Sequence, residues 1–306
     1  MRPAAVLFFL LVVPVIVAGC GGSSSAAGDE TASAPPAGSL EALWRAPGDD
    51  VAVVPGTSDY QPGLNRVSFL VVDQQSRLVN RPTARVWVSR KLTQAPFLET
   101  TARSESIGVP GGATAEAGRI YVASLRLPAP GKYWLLASPV GGSRRVQAIG
   151  NVVVRAKSAA PAVGDRAIPS RTPTLASTHS DLKALTTAKH PDRNLYRTSV
   201  AQALAAKRPF VLTFATPLYC QSRTCGPVVD VVSAVRKRFA SRGIPFIHVE
   251  IYAGNDPANG TNRWVGQWKL PTEPFTFVVD RNGIVRSRFE GAFSVAELTA
   301  AVRRVS

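Results

Sequence analysis

Three cysteines, three histidines and one methionine in 306 residues leave little material for metal chemistry. None of the cysteines or histidines falls between residues 40 and 155, which excludes thiol chemistry or a histidine-bound metal in that stretch. Acidic residues are scarce too: 20 Asp and Glu stand against 36 Lys and Arg, a formal net charge of +16. Such a balance admits polyanion partners, but the excess is spread, with 15 basic and 8 acidic residues over 40–160 and 20 and 10 over 161–306. No aromatic residue interleaves with the longest clusters, Arg236-Lys237-Arg238 and Arg303-Arg304, as a stacking platform for bases would require, so nucleic acid is not an expected partner. Long apolar runs are missing except at the start, where residues 4–18 are interrupted by Pro14 and fall short of the ~20 residues of a membrane span. What is present is a hydrophobic share of 45%, enough for packed cores and too high for a mainly disordered chain, over a length that fits two domains.

Residues 1–20 run from a basic start through the apolar stretch to small residues, the pattern of a secretory signal. Val17-Ala18-Gly19-Cys20 resembles the lipobox of bacterial lipoproteins, which implies cleavage before Cys20, a lipid on its sulfur and an extracytoplasmic anchor to the bacterial cell membrane. Residues 21–39, rich in Gly, Ser, Ala and Pro, read as a flexible tether. With Cys20 assigned to lipid, Cys220 and Cys225 remain as one pair in an oxidising compartment.

Between residues 40 and 155, short runs with period-2 alternation are separated by Gly, Pro and Asn, with strands expected at 51–54, 66–73, 84–90, 119–127, 132–138 and 146–155. This pattern predicts an antiparallel, immunoglobulin-like β-sandwich with a binding or spacer role. Residues 156–175, rich in Ala, Pro and Ser, read as a linker. Residues 176–306 then alternate strands and helices: an apolar run at 210–215, a helical face of Val228, Val231, Val232, Val235 and Phe239, strands at 244–252, 275–279 and 284–289, and capping boxes Ser199/Gln202 and Ser294/Glu297. An α/β domain with a mixed sheet is the expectation.

The chemistry concentrates at Tyr219-Cys220-Gln-Ser-Arg223-Thr-Cys225-Gly-Pro227, between an apolar strand and an amphipathic helix. A cysteine near a helix N-terminus meets unpaired N–H groups and the positive end of the helix dipole, which favour the thiolate. Arg223 adds a nearby cation.

The second half resembles the thioredoxin-like superfamily, in particular its extracytoplasmic, membrane-tethered thiol-disulfide oxidoreductases. The likeness rests on the strand entering the cysteines, on Cys225-Gly226-Pro227, and on Glu273-Pro274-Phe-Thr-Phe-Val-Val-Asp280-Arg-Asn-Gly283. The resemblance implies a thioredoxin-like α/β fold, catalytic Cys220 and Cys225, and a cis-proline at Pro274, with Pro271 as runner-up. It implies a substrate groove with Tyr219, Glu273 and Arg223, a protein thiol or disulfide as partner, and no cofactor. The chain departs from the family in spacing its cysteines C-x4-C rather than C-x2-C and in placing Tyr219 where Trp is usual.

Q-type peroxiredoxins do use C-x4-C, but their Thr three residues before the first cysteine is replaced here by Pro217. His248 sits inside an apolar strand and reads as packed rather than metal-ligating, and two thiols alone lack the further donors of a closed metal site. Asp230 reads either as a proton relay or as a solvated helix residue, and Trp264 and Trp268 as one inward-facing pair. The functional expectation is a membrane-anchored thiol-disulfide oxidoreductase. The alternative is a non-catalytic binding or assembly lipoprotein in which Cys220 and Cys225 form a structural disulfide.

Overall fold

A computed structural model describes residues 34–306 apart from 114–116, 143–144 and 221–223. The signal segment, Cys20 and most of the tether lie outside the described residues, as does Arg223. A short helix α1 (Leu40–Trp44), capped by the Ser39 side chain, precedes seven strands: β1 (Asp49–Pro55), β2 (Gly63–Val72), β3 (Thr83–Ser89), β4 (Leu98–Ser106), β5 (Arg119–Leu127), β6 (Gly131–Pro139) and β7 (Val146–Val154). Six of them fall where alternation predicts a strand. The exception, β4, reads LETTARSES and buries only Ala102, so no apolar period marks it.

These strands form a closed barrel in the order β1-β2-β5-β4-β3-β6-β7, not the immunoglobulin-like sandwich expected. The reason lies in β1, which pairs on both edges: antiparallel to β2, with Ala52 opposite Val72, and parallel to β7, with Val51 opposite Ala148. A strand used twice leaves no open edge, so one sheet closes on itself. Its interior is filled by alternate residues, among them Val67, Phe69 and Val71 of β2, Tyr121, Ala123 and Leu125 of β5, and Tyr133, Leu135 and Ala137 of β6. On the outer wall α1 packs Leu40 against Trp87 and Leu136.

The chain continues through α2 (Val200–Ala205), β8 (Phe210–Phe214), α3 (Cys225–Arg238), β9 (Phe246–Val249), α4 (Arg263–Gln267), β10 (Phe275–Val279), β11 (Val285–Glu290) and α5 (Val295–Arg303). Both expected capping boxes form, Ser199 with Gln202 and Ser294 with Glu297. The strands make a four-stranded sheet in the order β11-β10-β8-β9, with β8 and β9 parallel and the other pairs antiparallel. Every residue of β8 and β10 is buried. One face carries Val211 and Val278 under α3 and α5; the other carries Phe210, Leu212, Phe214, Phe275 and Phe277 around Trp268.

The expected thioredoxin-like α/β fold is corrected together with the sandwich, because the whole is a seven-stranded mixed barrel plus a small sheet with little helix. Among the described residues only the helix α3, at 14 residues, exceeds nine. Pro161, Pro169, Pro173 and Pro191 punctuate the approach to the sheet, and proline neither donates to nor fits the interior of a helix. Residues 158–167, within the span read as a linker, are instead hydrogen-bonded in place: Asp59 accepts from the amides of Ala159 and Ala160, and Gly164 and Asp165 exchange bonds with Val285.

Residues 35–306 form one compact unit. Ile120 of the barrel is part of the core under α3 and α5, with Leu70 and Val122 packed beside it. Ion pairs tie the barrel half to the second half: Asp59 to Arg288 of β11 and Arg66 to Glu297 of α5, each at 2.7 Å. The Asp59 side chain is 0% exposed, so its charge depends on Arg288 and the two amides. Replacing Arg288 by Met is expected to cost about 3–5 kcal/mol, because it leaves a buried carboxylate without its cation. Urea unfolding of the two proteins measures this; a loss below about 1 kcal/mol, the size of an exposed pair, would contradict it.

Candidate functional site

β8 is enclosed on both faces and ends at Phe214, so the chain leaves the end of this central strand there and returns over one face as α3. Residues 215–220 make that exit, and α3 starts at Cys225 with Pro227 in its first turn, where a missing N–H costs no intrahelical bond. Both cysteines are at the turn and carry thiols rather than a disulfide. Cys225 is 0% exposed, whereas Cys220 is half-buried beside the exposed Leu218 and Tyr219. The Cys225 N–H, one of the donors a helix start leaves unused, donates to Cys220 Sγ at 3.3 Å. The two thiols are thereby distinguished: Cys220 is half-buried and accepts a helix-start N–H, whereas Cys225 is sealed beneath it. Burial, followed by neighbouring Cys220, pushes the Cys225 thiol well above its ordinary range.

Glu273 completes the cluster. It precedes buried Pro274 through a cis peptide bond, whereas Pro271 is exposed and its bond is not cis. A Glu273 carboxylate oxygen and the two sulfurs lie within 4.8 Å of one another. The sequence offered two thiols without a further donor; the fold supplies that donor from the start of β10. Burial, then Cys220 and Glu250, raise the Glu273 carboxyl to about 7, and its Oε2 is buried without a hydrogen-bond partner.

The remaining expectations separate clearly. Tyr219 stands at the site and meets Tyr252 edge-on, 6.2 Å between ring centres. Trp268 is core: it is 0% exposed, packs on Phe277 and Phe214, and donates its indole N–H to Ser170 Oγ at 3.0 Å. His248 is packed, with Nε2 facing the Ala215 carbonyl at 3.0 Å and Nδ1 facing the Tyr196 hydroxyl at 2.7 Å, and burial pushes its pKa down. Both ring nitrogens are used, so it is a neutral structural residue. Asp230 is tied to the barrel: its Oδ2 accepts from the Ala113 N–H at 2.6 Å.

That bond belongs to a contact the sequence did not reveal. The β4–β5 loop of the barrel lies on the first turn of α3, with Ile107 and Val109 packed into the core that contains Cys225. A Cβ on Gly226 would stand 3.0 Å from that of Ala113, so the glycine of Cys-Gly-Pro admits the loop. Glu250 was also missed. It is 4% exposed, accepts through Oε1 from the Thr186 hydroxyl and the Thr187 amide and hydroxyl, and acts on Glu273. An acid inside the apolar run 244–252 is the signal that marks it. Glu250 and Tyr252 line a cavity of about 410 Å³, to which the cysteine turn contributes no lining residue. A cavity of about 750 Å³ between barrel and sheet is lined by Asp59, Arg66, Arg288 and Glu297, which already pair with one another.

Among the described residues no helix is long and apolar enough to cross a membrane. No family model and no curated protein matches the chain. Among solved structures, a thiol:disulfide interchange protein of the thioredoxin family from Chlorobium tepidum TLS is 17% identical with a TM-score of 0.24, over 32% of this chain and 80% of that one. The multi-modular chitinase ChiW from Paenibacillus sp. str. FPU-7 is 11% identical with a TM-score of 0.20, over 66% of this chain and 16% of that one.

Proposed function

We propose that the chain is a thiol-disulfide oxidoreductase that acts outside the cytoplasm, held to the membrane by a lipid on Cys20. The anchor and compartment rest on the sequence of residues 1–39. The exchange reaction rests on one observation above the others: the sulfur of half-buried Cys220 accepts the first N–H of α3, while Cys225 is fully buried. A disulfide serving only as a staple has no use for this asymmetry.

In the reducing direction, the Cys220 thiolate attacks one sulfur of a substrate disulfide. A Cys220–substrate bond forms, the substrate S–S bond breaks, and the departing sulfur leaves as a thiolate. Cys225 then gives up its proton, which ends on that departing thiolate, and attacks Cys220 Sγ. The Cys220–Cys225 disulfide forms and the second substrate sulfur leaves, so two electrons pass from the protein dithiol to the substrate. The oxidising direction is the same path reversed. Burial holds Cys225 protonated until Cys220 has reacted, which keeps the order of steps. Tyr219, edge-on to Tyr252, would offer an aromatic surface to a protein substrate.

The order of attack has a direct consequence. With Cys225 replaced by Ser, the mixed disulfide on Cys220 cannot be resolved, and the variant is expected to accumulate a covalent adduct with a disulfide-bearing protein such as insulin. With Cys220 replaced by Ser, none forms. Non-reducing gel electrophoresis and mass spectrometry read both; adducts at equal yield on the Cys220→Ser protein, or on neither variant, would contradict the assignment.

A further inference from the structure

The reduced site holds more than an exchange reaction needs. Cys220 Sγ, Cys225 Sγ and a Glu273 carboxylate oxygen converge within 4.8 Å, and Glu273 Oε2 is buried without a partner. Burying a carboxylate oxygen unsatisfied costs free energy, and a second acid, Glu250, lies close enough to act on the same group. A cation bound there would give the orphaned oxygen a partner and draw both sulfurs to the same point.

The geometry points to a zinc site: in the dithiol form, Cys220, Cys225 and Glu273 bind one Zn²⁺ as a Cys2Glu set with an open fourth position. Zinc takes thiolate at about 2.3 Å and carboxylate at about 2.0–2.2 Å, so donors around a tetrahedral ion stand roughly 3.6–3.8 Å apart. The observed limit of 4.8 Å closes to that with a shift of about 1 Å. The donor chemistry favours zinc over copper(I), which prefers sulfur alone and has little use for a carboxylate. Neither nitrogen of His248 is available to complete the set, since both are hydrogen-bonded within the core. The fourth position therefore falls to water or to an incoming thiol from the open side, where Leu218 is 65% exposed.

Binding displaces one proton from each thiol, leaving two Zn–S bonds and one Zn–O bond. A substrate disulfide reverses it: the two protein sulfurs are oxidised to the Cys220–Cys225 disulfide, the substrate disulfide is reduced to two thiols with two protons from water, and Zn²⁺ is released. The site is thus available only to the reduced protein. Because zinc binds one redox state, a hundredfold excess over its Kd moves the midpoint of the pair by about 60 mV toward easier reduction.

The test uses the full chain, reduced, stripped of metal and kept anaerobic, titrated with Zn²⁺ against a chromogenic zinc chelator. One ion per reduced chain is expected, with none bound by the disulfide form, at least tenfold weaker binding in Glu273→Gln, and loss of the site in Cys220→Ser. Circular dichroism confirms that each variant is folded, and Co²⁺ in place of zinc should give a sulfur-to-cobalt charge-transfer band that Cys220→Ser lacks. Equal affinity in Glu273→Gln, equal binding by the oxidised form, or absent binding by the folded reduced chain would each overturn the proposal. The site shares its cysteines with the exchange reaction, but the two fail separately. Adduct formation by Cys225→Ser in the presence of chelator without zinc binding by the native chain removes only the metal site, and the converse removes only the exchange.

Discussion

The enclosure of β8 is the constraint on which the site depends. Phe210, Leu212 and Phe214 pack into one core, Val211 faces the other, and β9 and β10 occupy both edges. A strand buried on every side can be left only at its end, so the chain emerges beside the start of β10 and must fold back as a helix to cover the exposed face. α3 does this with Val228, Val231, Val232 and Val235. Its first turn consequently sits at the end of the two central strands, with Cys225 buried, Cys220 half-buried, and Glu273 arriving ahead of the neighbouring strand. The geometry of the cysteine turn is a by-product of satisfying two hydrophobic faces.

The barrel extends this arrangement. Its β4–β5 loop rests on the same helical turn through Ile107, Val109 and the Asp230–Ala113 bond, while Arg288 with Asp59 and Arg66 with Glu297 fix the opposite side. The cysteine turn is therefore supported from both the sheet and the barrel, and a displacement of either reaches it. A spacer joined by a free linker would give no such support, and residues 158–167 are hydrogen-bonded along the way rather than free.

Much of this was legible in the chain, for identifiable reasons. Strands with strong alternation, the two capping boxes, and the strand-to-helix placement of the cysteines follow from local pattern, which residues near in sequence determine. Closure of the barrel was not legible, because it depends on the parallel pairing of β1 with β7, and the parallel register of two short apolar runs leaves no mark in either. Strand β4 was hidden by its polar composition. Within the site, Cys220, Cys225 and Pro274 announce themselves, and Tyr219 and Glu273 follow by adjacency. Glu250 and the barrel loop do not, since what brings them there is tertiary packing: the approach that Gly226 allows, and a buried acid held by Thr186 and Thr187.

Exchange chemistry requires that the Cys220–Cys225 pair cycle between dithiol and disulfide at potentials a cell compartment reaches. Equilibrating the full chain, with chelator present, in graded glutathione or dithiothreitol buffers and trapping the thiols for mass spectrometry measures this directly. A reversible midpoint between about −120 and −270 mV, the span of proteins that exchange disulfides, is the expected result. A pair that stays oxidised below about −300 mV would mark a structural disulfide and contradict it.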